Sequence, residues 1–409
     1  MGENDPDEVT HMNFKHMLAC LQGITVYKDL LDQPVLSAAL RLTRCAAHGD
    51  GLGGLEAYTD VFYRLQLAGC GGLGEWLGQA LRWSEGPYPR LCEGGRRDPA
   101  LEQGARMDVS ALALLASVDC DKWLARLGQL LDNDYQGVLT GLPRWRSGVP
   151  FTFEGLTGAY RREGAGLLGR YRAFCWQDGE LIPVPHPDSP GEDELLGYER
   201  QRALVVRNTR TLLEGRPVNN MLLYGESGTG KSATVKSLLH LPGAEDLRIV
   251  QADKEDLSGL PALIRALEGR RQKVIVFIDD LALDQDSTAY SALKTILEGG
   301  VAPRPDNVAV YATSNRRHLV RQSLSQRLGD EVDRTETIRE TTSLADRFGI
   351  RVLFQGLDKG EFLSFVDTLA DRHGVTLPRE ELHEKAAAWE RYHGGRTPRA
   401  ALQFVLSLT

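Results

Sequence analysis

NNMLLYGESGTGKS occupies residues 219–232. Its first half is a short apolar run. Its second half, Gly225-Glu226-Ser227-Gly228-Thr229-Gly230-Lys231-Ser232, fits G-x-x-x-x-G-K-[ST], a pattern expected by chance in roughly one chain of this kind per hundred. The apolar run reads as a strand ending at the first glycine, and KSATVKSLLH reads as a helix starting at the lysine. Glycines let the backbone fold tightly, so that successive N–H groups face an anion. Lys231 is placed to reach the outer phosphates of a nucleoside triphosphate, and the Ser232 hydroxyl to ligate Mg²⁺.

Two later strand ends carry polar groups. KVIVFIDD closes an apolar strand on Asp279-Asp280. Downstream of a phosphate loop, Asp279 is expected to hold the metal and Asp280 to orient the attacking water. Asp is one methylene shorter than Glu, which points to slow hydrolysis or a closer water. NVAVYATSN ends on Ser314-Asn315, and Asn315 is expected to hydrogen-bond the terminal phosphate or the water.

Outward from these motifs, short apolar runs alternate with helical stretches: NNMLLYG, LRIVQA, KVIVFIDD, NVAVYATS and IRVLFQG. That alternation predicts a parallel five-stranded sheet covered by helices over residues 193–356. Three helical segments follow over 357–409, the first with Phe362, Phe365, Val366 and Leu369 on one face. They predict a helical lid. Residues 325–343 are charged and aperiodic and read as a mobile loop. Upstream, WQDGELIPVPHPDSPGEDE holds four prolines, so 148–192 reads as an extended linker. Residues 1–147 read as helices joined by glycine-rich turns, with Asp108 and Asp121 near helix starts. This N-terminal region carries no chemical motif and is expected to select a partner. Two G-x-G-x-x-G matches, at Gly69 and Gly164, follow no clear strand and are at the chance level for 43 glycines.

The chain has 409 residues and a net charge of -8, which argues against direct nucleic-acid binding. Its longest apolar run, VSALALLASV, is too short for a membrane span. The acidic start MGENDPDEV is unlike a signal peptide. The six cysteines are scattered without a C-x-x-C pair, as in a cytoplasmic protein without a zinc site.

The order of phosphate loop, Asp-Asp strand, Asn strand and LADRFGIRVLF resembles the AAA+ ATPase superfamily. LLGYERQ, NNMLLYGESGTGKS, FIDDL, YSALKTILEGG, YATSNRRHL and LADRFG are similar to one bacterial branch, catalogued as domain of unknown function 815, over about residues 150–409. FIDDL also resembles the replication-initiator and helicase-loader clade. The resemblance implies an α/β P-loop NTPase of AAA+ type with a helical C-terminal lid and a mainly α-helical N-terminal domain. It implies that Leu196, Gly197 and Tyr198 sit against the base. Arg347 becomes an arginine finger reaching a neighbouring subunit's nucleotide. GGRTPRAALQF becomes the sensor 2 helix, with Arg399 favoured over Arg396.

The expected activity is Mg-dependent hydrolysis of ATP at a subunit interface of a homo-oligomer, to switch or remodel a protein partner. ADKEDLSGL lacks an aromatic pore loop, which argues against polypeptide threading. Two alternatives stand: a nucleotide-gated binding module with little hydrolysis, and a P-loop small-molecule kinase.

Overall fold

The computed structural model describes residues 13–282, 288–298, 304–315, 344–393 and 395–409. The chain divides into two compact units, residues 1–170 and 171–409. Among the described residues no helix is long and apolar enough to cross a membrane. The charged stretch at 325–343 lies outside the described residues.

The N-terminal unit is helical: α1 (Phe14–Gln22), α2 (Pro34–His48), α3 (Gly51–Leu67), α4 (Leu73–Arg82), α5 (Pro87–Glu93), α6 (Pro99–Ser117), α7 (Cys120–Leu130), α8 (Gln136–Gly141), α9 (Phe153–Glu163) and α10 (Gly166–Arg170). Helix starts follow capping chemistry. The Asp50, Asp98 and Asp119 carboxylates accept backbone N–H groups at the starts of α3, α6 and α7. Asp119, not Asp121, is therefore the cap of α7. Asp121 does lie in the first turn of α7, whereas Asp108 is not near a helix start. It lies mid-way along α6, 1% exposed, and accepts the backbone N–H groups of Thr25, Val26 and Tyr27. The core packs Leu, Ala and aromatic side chains, including Trp123, Tyr27, Tyr58 and Tyr160.

The C-terminal unit is built on one seven-stranded sheet. Its strands are β1 (Ala173–Gln177), β2 (Glu180–Pro183), β3 (Met221–Gly225), β4 (Leu247–Ala252), β5 (Lys273–Ile278), β6 (Val308–Ser314) and β7 (Ile350–Phe354). The spatial order is β2-β1-β4-β5-β6-β3-β7, parallel throughout except for the β1/β2 pair. Every residue of β6 is buried, as is all but the first of β5, because helices cover both faces of a parallel sheet. The connecting helices are α11 (Glu199–Leu213), α12 (Lys231–Lys236), α13 (Leu260–Leu267) and α14 (Thr288–Glu298). The lid consists of α15 (Lys359–His373), α16 (Arg379–His393) and α17 (Pro398–Leu406), packed around Phe362, Val366, Leu382 and Phe404. A capping box between Asp358 and Glu361 starts α15.

The sheet has two more strands than the five expected, and 148–192 is not an extended linker. Phe151, Phe153, Leu156, Tyr160 and Leu168 are buried, and all but Leu168 belong to the N-terminal core, which extends that unit to residue 170. The next residues form a hairpin. Asp178 and Gly179 both take positive φ, 51° and 84°, as a two-residue turn of type I′ requires, and β1 pairs in parallel with β4. The prolines fall at the end of β2 and beyond it, on an edge strand, where a missing N–H is tolerated.

Candidate functional site

Residues 225–230 link β3 to α12. The loop leaves the strand under tight constraint. Gly225 has φ 140°, and a Cβ there would lie 1.9 Å from the Phe354 carbonyl oxygen at the end of β7. Gly228 has φ 79°, and a Cβ there would meet the Arg399 and Thr397 side chains at 3.0 and 3.1 Å. Both positions need glycine for conformation and for space.

Lys231 follows the loop and is 5% exposed. Its Nζ donates to the carbonyls of Gly225 (3.1 Å) and Glu226 (2.6 Å) and to Asn315 Oδ1 (3.0 Å). Burial lowers its pKa from the usual lysine value, opposed by the nearby Asp279 and Asp280 carboxylates and assisted by Arg399. Ser232 Oγ and Thr313 Oγ1 both donate to Asp279 Oδ1, at 2.6 and 2.5 Å. Asp280 holds φ 49°, a left-handed conformation uncommon outside glycine. Its backbone N–H donates to Thr313 Oγ1 at 2.9 Å, and its Oδ1 accepts from Asn315 Nδ2 at 2.9 Å. Lys254 Nζ lies 3.5 Å from Asp280 Oδ2.

Most of these groups, though not Gly225 or Lys254, line one cavity of about 530 Å³. Lys231, Ser232, Asp279, Asp280, Asn315 and Arg399 form its polar end, and Leu195, Leu196, Phe365, Leu369 and Leu402 its apolar end. Ser227 to Gly230 also line it, as do Gly197 and Tyr198. Gly197 and Tyr198 are both left-handed, φ 67° and 57°. The Tyr198 hydroxyl donates to the Gln355 carbonyl at 2.7 Å, its ring packs on Phe354, and burial pushes its pKa up to about 12.

The two arginine alternatives separate. Arg399 lines the cavity, and its backbone N–H donates to the Gly228 carbonyl at 3.1 Å. The Arg396 guanidinium pairs with Glu390 at 2.8 Å. Arg347 lies half-buried in the turn before β7 and is not among the residues lining the cavity. Thr313, Arg202 and the apolar side chains of α15 and α17 belong to the wall without having been legible as motif residues. Thr313 had one available signal, a β-branched hydroxyl one residue before the polar strand end.

The polar end suits a magnesium nucleotide. A hydroxyl and a carboxylate 2.6 Å apart are hard oxygen donors of the kind Mg²⁺ takes, with substrate oxygens completing the shell. Among the described residues there is no cluster of three or more metal-binding side chains of another kind. The cavity volume and its apolar end match a ligand with a polyanionic tail and a flat, weakly polar head.

No curated protein matches this sequence. Solved structures of the Thermotoga maritima RuvB Holliday junction branch migration motor align with 18% identity and a TM-score of 0.35, over 54% of this chain and 63% of that chain. A point-substituted form of that protein aligns with 20% identity over the same shares and at the same TM-score. This chain therefore covers less than two thirds of those relatives' length. The observed architecture is the expected one, an α/β phosphate-loop unit with a helical lid, accompanied by a mainly helical N-terminal unit. The model of the family described as protein of unknown function, DUF815, matches residues 169–409, well over half of the sequence, and the chain belongs to that family.

Proposed function

We propose that the chain is an ATPase of AAA+ type that binds Mg-ATP in the cavity between the phosphate loop and the lid and hydrolyses it to ADP and phosphate. The observation that carries this reading is the convergence of Lys231, the Ser232–Asp279 pair and the Asp280–Asn315 pair on one cavity. Lys231 exchanges its carbonyl contacts for phosphate oxygens. Ser232 and Asp279 hold Mg²⁺, which when bound neutralises phosphate charge. Asn315 holds the Asp280 carboxylate at a fixed orientation from which it accepts a proton from water. Arg399 adds positive charge from the lid side, and Leu196, Gly197 and Tyr198 line the base end. Arg347, which is not among the residues lining its own cavity, serves a neighbouring subunit in a homo-oligomer. The N-terminal unit selects a protein partner, which the nucleotide cycle switches or remodels in the cytoplasm.

Phosphate release by the purified protein tests hydrolysis, and its dependence on protein concentration tests assembly. Arg347→Ala should lower turnover at least tenfold with little change in nucleotide affinity, since fingers of this kind contribute about 10³–10⁵ to turnover. Mixing Arg347→Ala with Lys231→Ala subunits should restore some activity. Full, concentration-independent activity of a monomer would sink the shared-site reading. One observation favours a second reading, a nucleotide-gated binding module: Asp280 is shorter than Glu and is already engaged by Asn315 and Lys254. Tight ATP binding without phosphate release would select it.

A further inference from the structure

Arg202 lies on α11, one turn after Tyr198, whose carbonyl accepts its backbone N–H at 2.8 Å. Its side chain is 19% exposed and lines the nucleotide-sized cavity. It also walls a crevice of about 30 Å³ between α11 and α12, with Thr234 and Ser237. Nε is enclosed by protein and has no hydrogen-bond partner among the described residues, so the donors left for a ligand are the two Nη groups. The Glu199 carboxylate stands 3.8 Å from Nη2 and is itself largely exposed, too loose a pair to explain the burial of the guanidinium. A guanidinium offers five N–H donors and no acceptor, and leaving one buried and unmatched is costly.

The charges that act most on Lys231 are Asp279, Asp280, Arg399 and Glu226. Arg202 instead shares its wall with Leu195 and Thr234, and the apolar Leu196, Phe365 and Leu369 line the same cavity. A flat base fits between those apolar groups, and its rim carries ring nitrogens that accept hydrogen bonds.

We infer that Arg202 is a base-recognition residue, its guanidinium donating to an acceptor on the edge of the bound nucleotide's base. The inference rests on the nucleotide reading of the cavity. It adds base selectivity to a site in which the proposed function assigns Lys231, Asp279 and Arg399 to phosphate and metal.

The test is a calorimetric titration of the full chain with ATP and with inorganic tripolyphosphate, which shares the tail and lacks the base. Arg202→Met should weaken ATP binding roughly tenfold and leave tripolyphosphate unchanged. Arg202→Lys, which keeps the charge and loses the planar Nη fork, should also weaken ATP. With 1-, 3- and 7-deaza-ATP, one analogue should lose affinity for the native protein and lose no more with Arg202→Met or Arg202→Lys. Unchanged ATP affinity, equal losses for ATP and tripolyphosphate, or additive losses with all three analogues would overturn the assignment. A native protein that binds neither ATP nor tripolyphosphate would overturn the nucleotide reading itself. Tripolyphosphate binding that requires Lys231 would keep that reading standing whatever Arg202 does.

Discussion

Each unit buries a charge, and the two charges are held differently. In the N-terminal unit the Asp108 carboxylate takes the N–H groups of three consecutive residues, Thr25 to Tyr27, with Thr25 Oγ1 at 3.4 Å. Those donors belong to the loop after α1, and the carboxylate fixes that loop against α6. In the C-terminal unit Lys231 is nearly as buried, but it borders a cavity and leans on two loop carbonyls and Asn315. A carbonyl is a modest partner for an ammonium, and a phosphate is a better one. Asp108 is thus satisfied by the fold, whereas Lys231 retains a depressed pKa because its surroundings cost it solvation. Burial alone does not separate structure from function. The distinction lies in whether the partners are fixed or exchangeable.

The largest effect that would test this contrast is at Lys231. Lys231→Ala should weaken nucleotide binding at least 100-fold by titration without destabilising its unit. The sign follows from the lowered pKa: the folded unit carries a penalty below the folded-state pKa, relieved as pH rises past the ordinary lysine value. The native protein should therefore gain stability relative to Lys231→Ala as the solution is made alkaline. A clear loss of stability in the variant at neutral pH would break the comparison.

Asp108→Ala should do the reverse. Stranding backbone donors that a charged acceptor held should cost about 3 kcal/mol in urea unfolding, with nucleotide affinity unchanged. A parallel fall in affinity would show that the two charges are not independent. Asp280→Asn should leave Mg-ATP binding intact and reduce turnover about tenfold or more, since the amide cannot take a proton. Asp279→Asn should instead weaken the Mg²⁺ dependence. The smallest expected effect is at Arg396: Arg396→Ala should change stability by about 1 kcal/mol or less, as for other half-buried pairs near the surface, and leave affinity unaltered, while Arg399→Ala lowers affinity. Equal losses at both arginines would mean that the lid face was assigned wrongly.

What the sequence made legible follows the same division. Gly225 to Ser232, Asp279-Asp280 and Asn315 each sit at the end of a strand that its apolar residues announce, so local pattern was enough to bring them to the carboxyl-terminal ends of three adjacent interior strands. Arg202, Phe365 and Leu402 come from helix faces, where their residue types are ordinary, and only the tertiary approach of α11 and the lid gives them a shared cavity. The β1–β2 hairpin was hidden by the prolines beyond it. Its Asp178-Gly179 pair between FCWQ and ELIP was a turn signal outweighed by proline density. Asp108 misled because an aspartate before an apolar run is usually a cap, and its true partners lie more than 80 positions away in the chain.

The hydrogen bond from the Arg399 N–H to the Gly228 carbonyl makes the phosphate loop the fulcrum of a lever. The lever arm is α17, nine residues from Pro398 to Leu406, or roughly 13 Å at 1.5 Å per residue. Tilting that arm by roughly ten degrees about its first turn carries its far end by roughly 2 Å. Gly228 admits no side chain between pivot and arm, because a Cβ there would strike Arg399. The joint is close-packed, so a rotation of the Gly228 peptide that α17 follows as a rigid rod would move the far end of that helix more than its start.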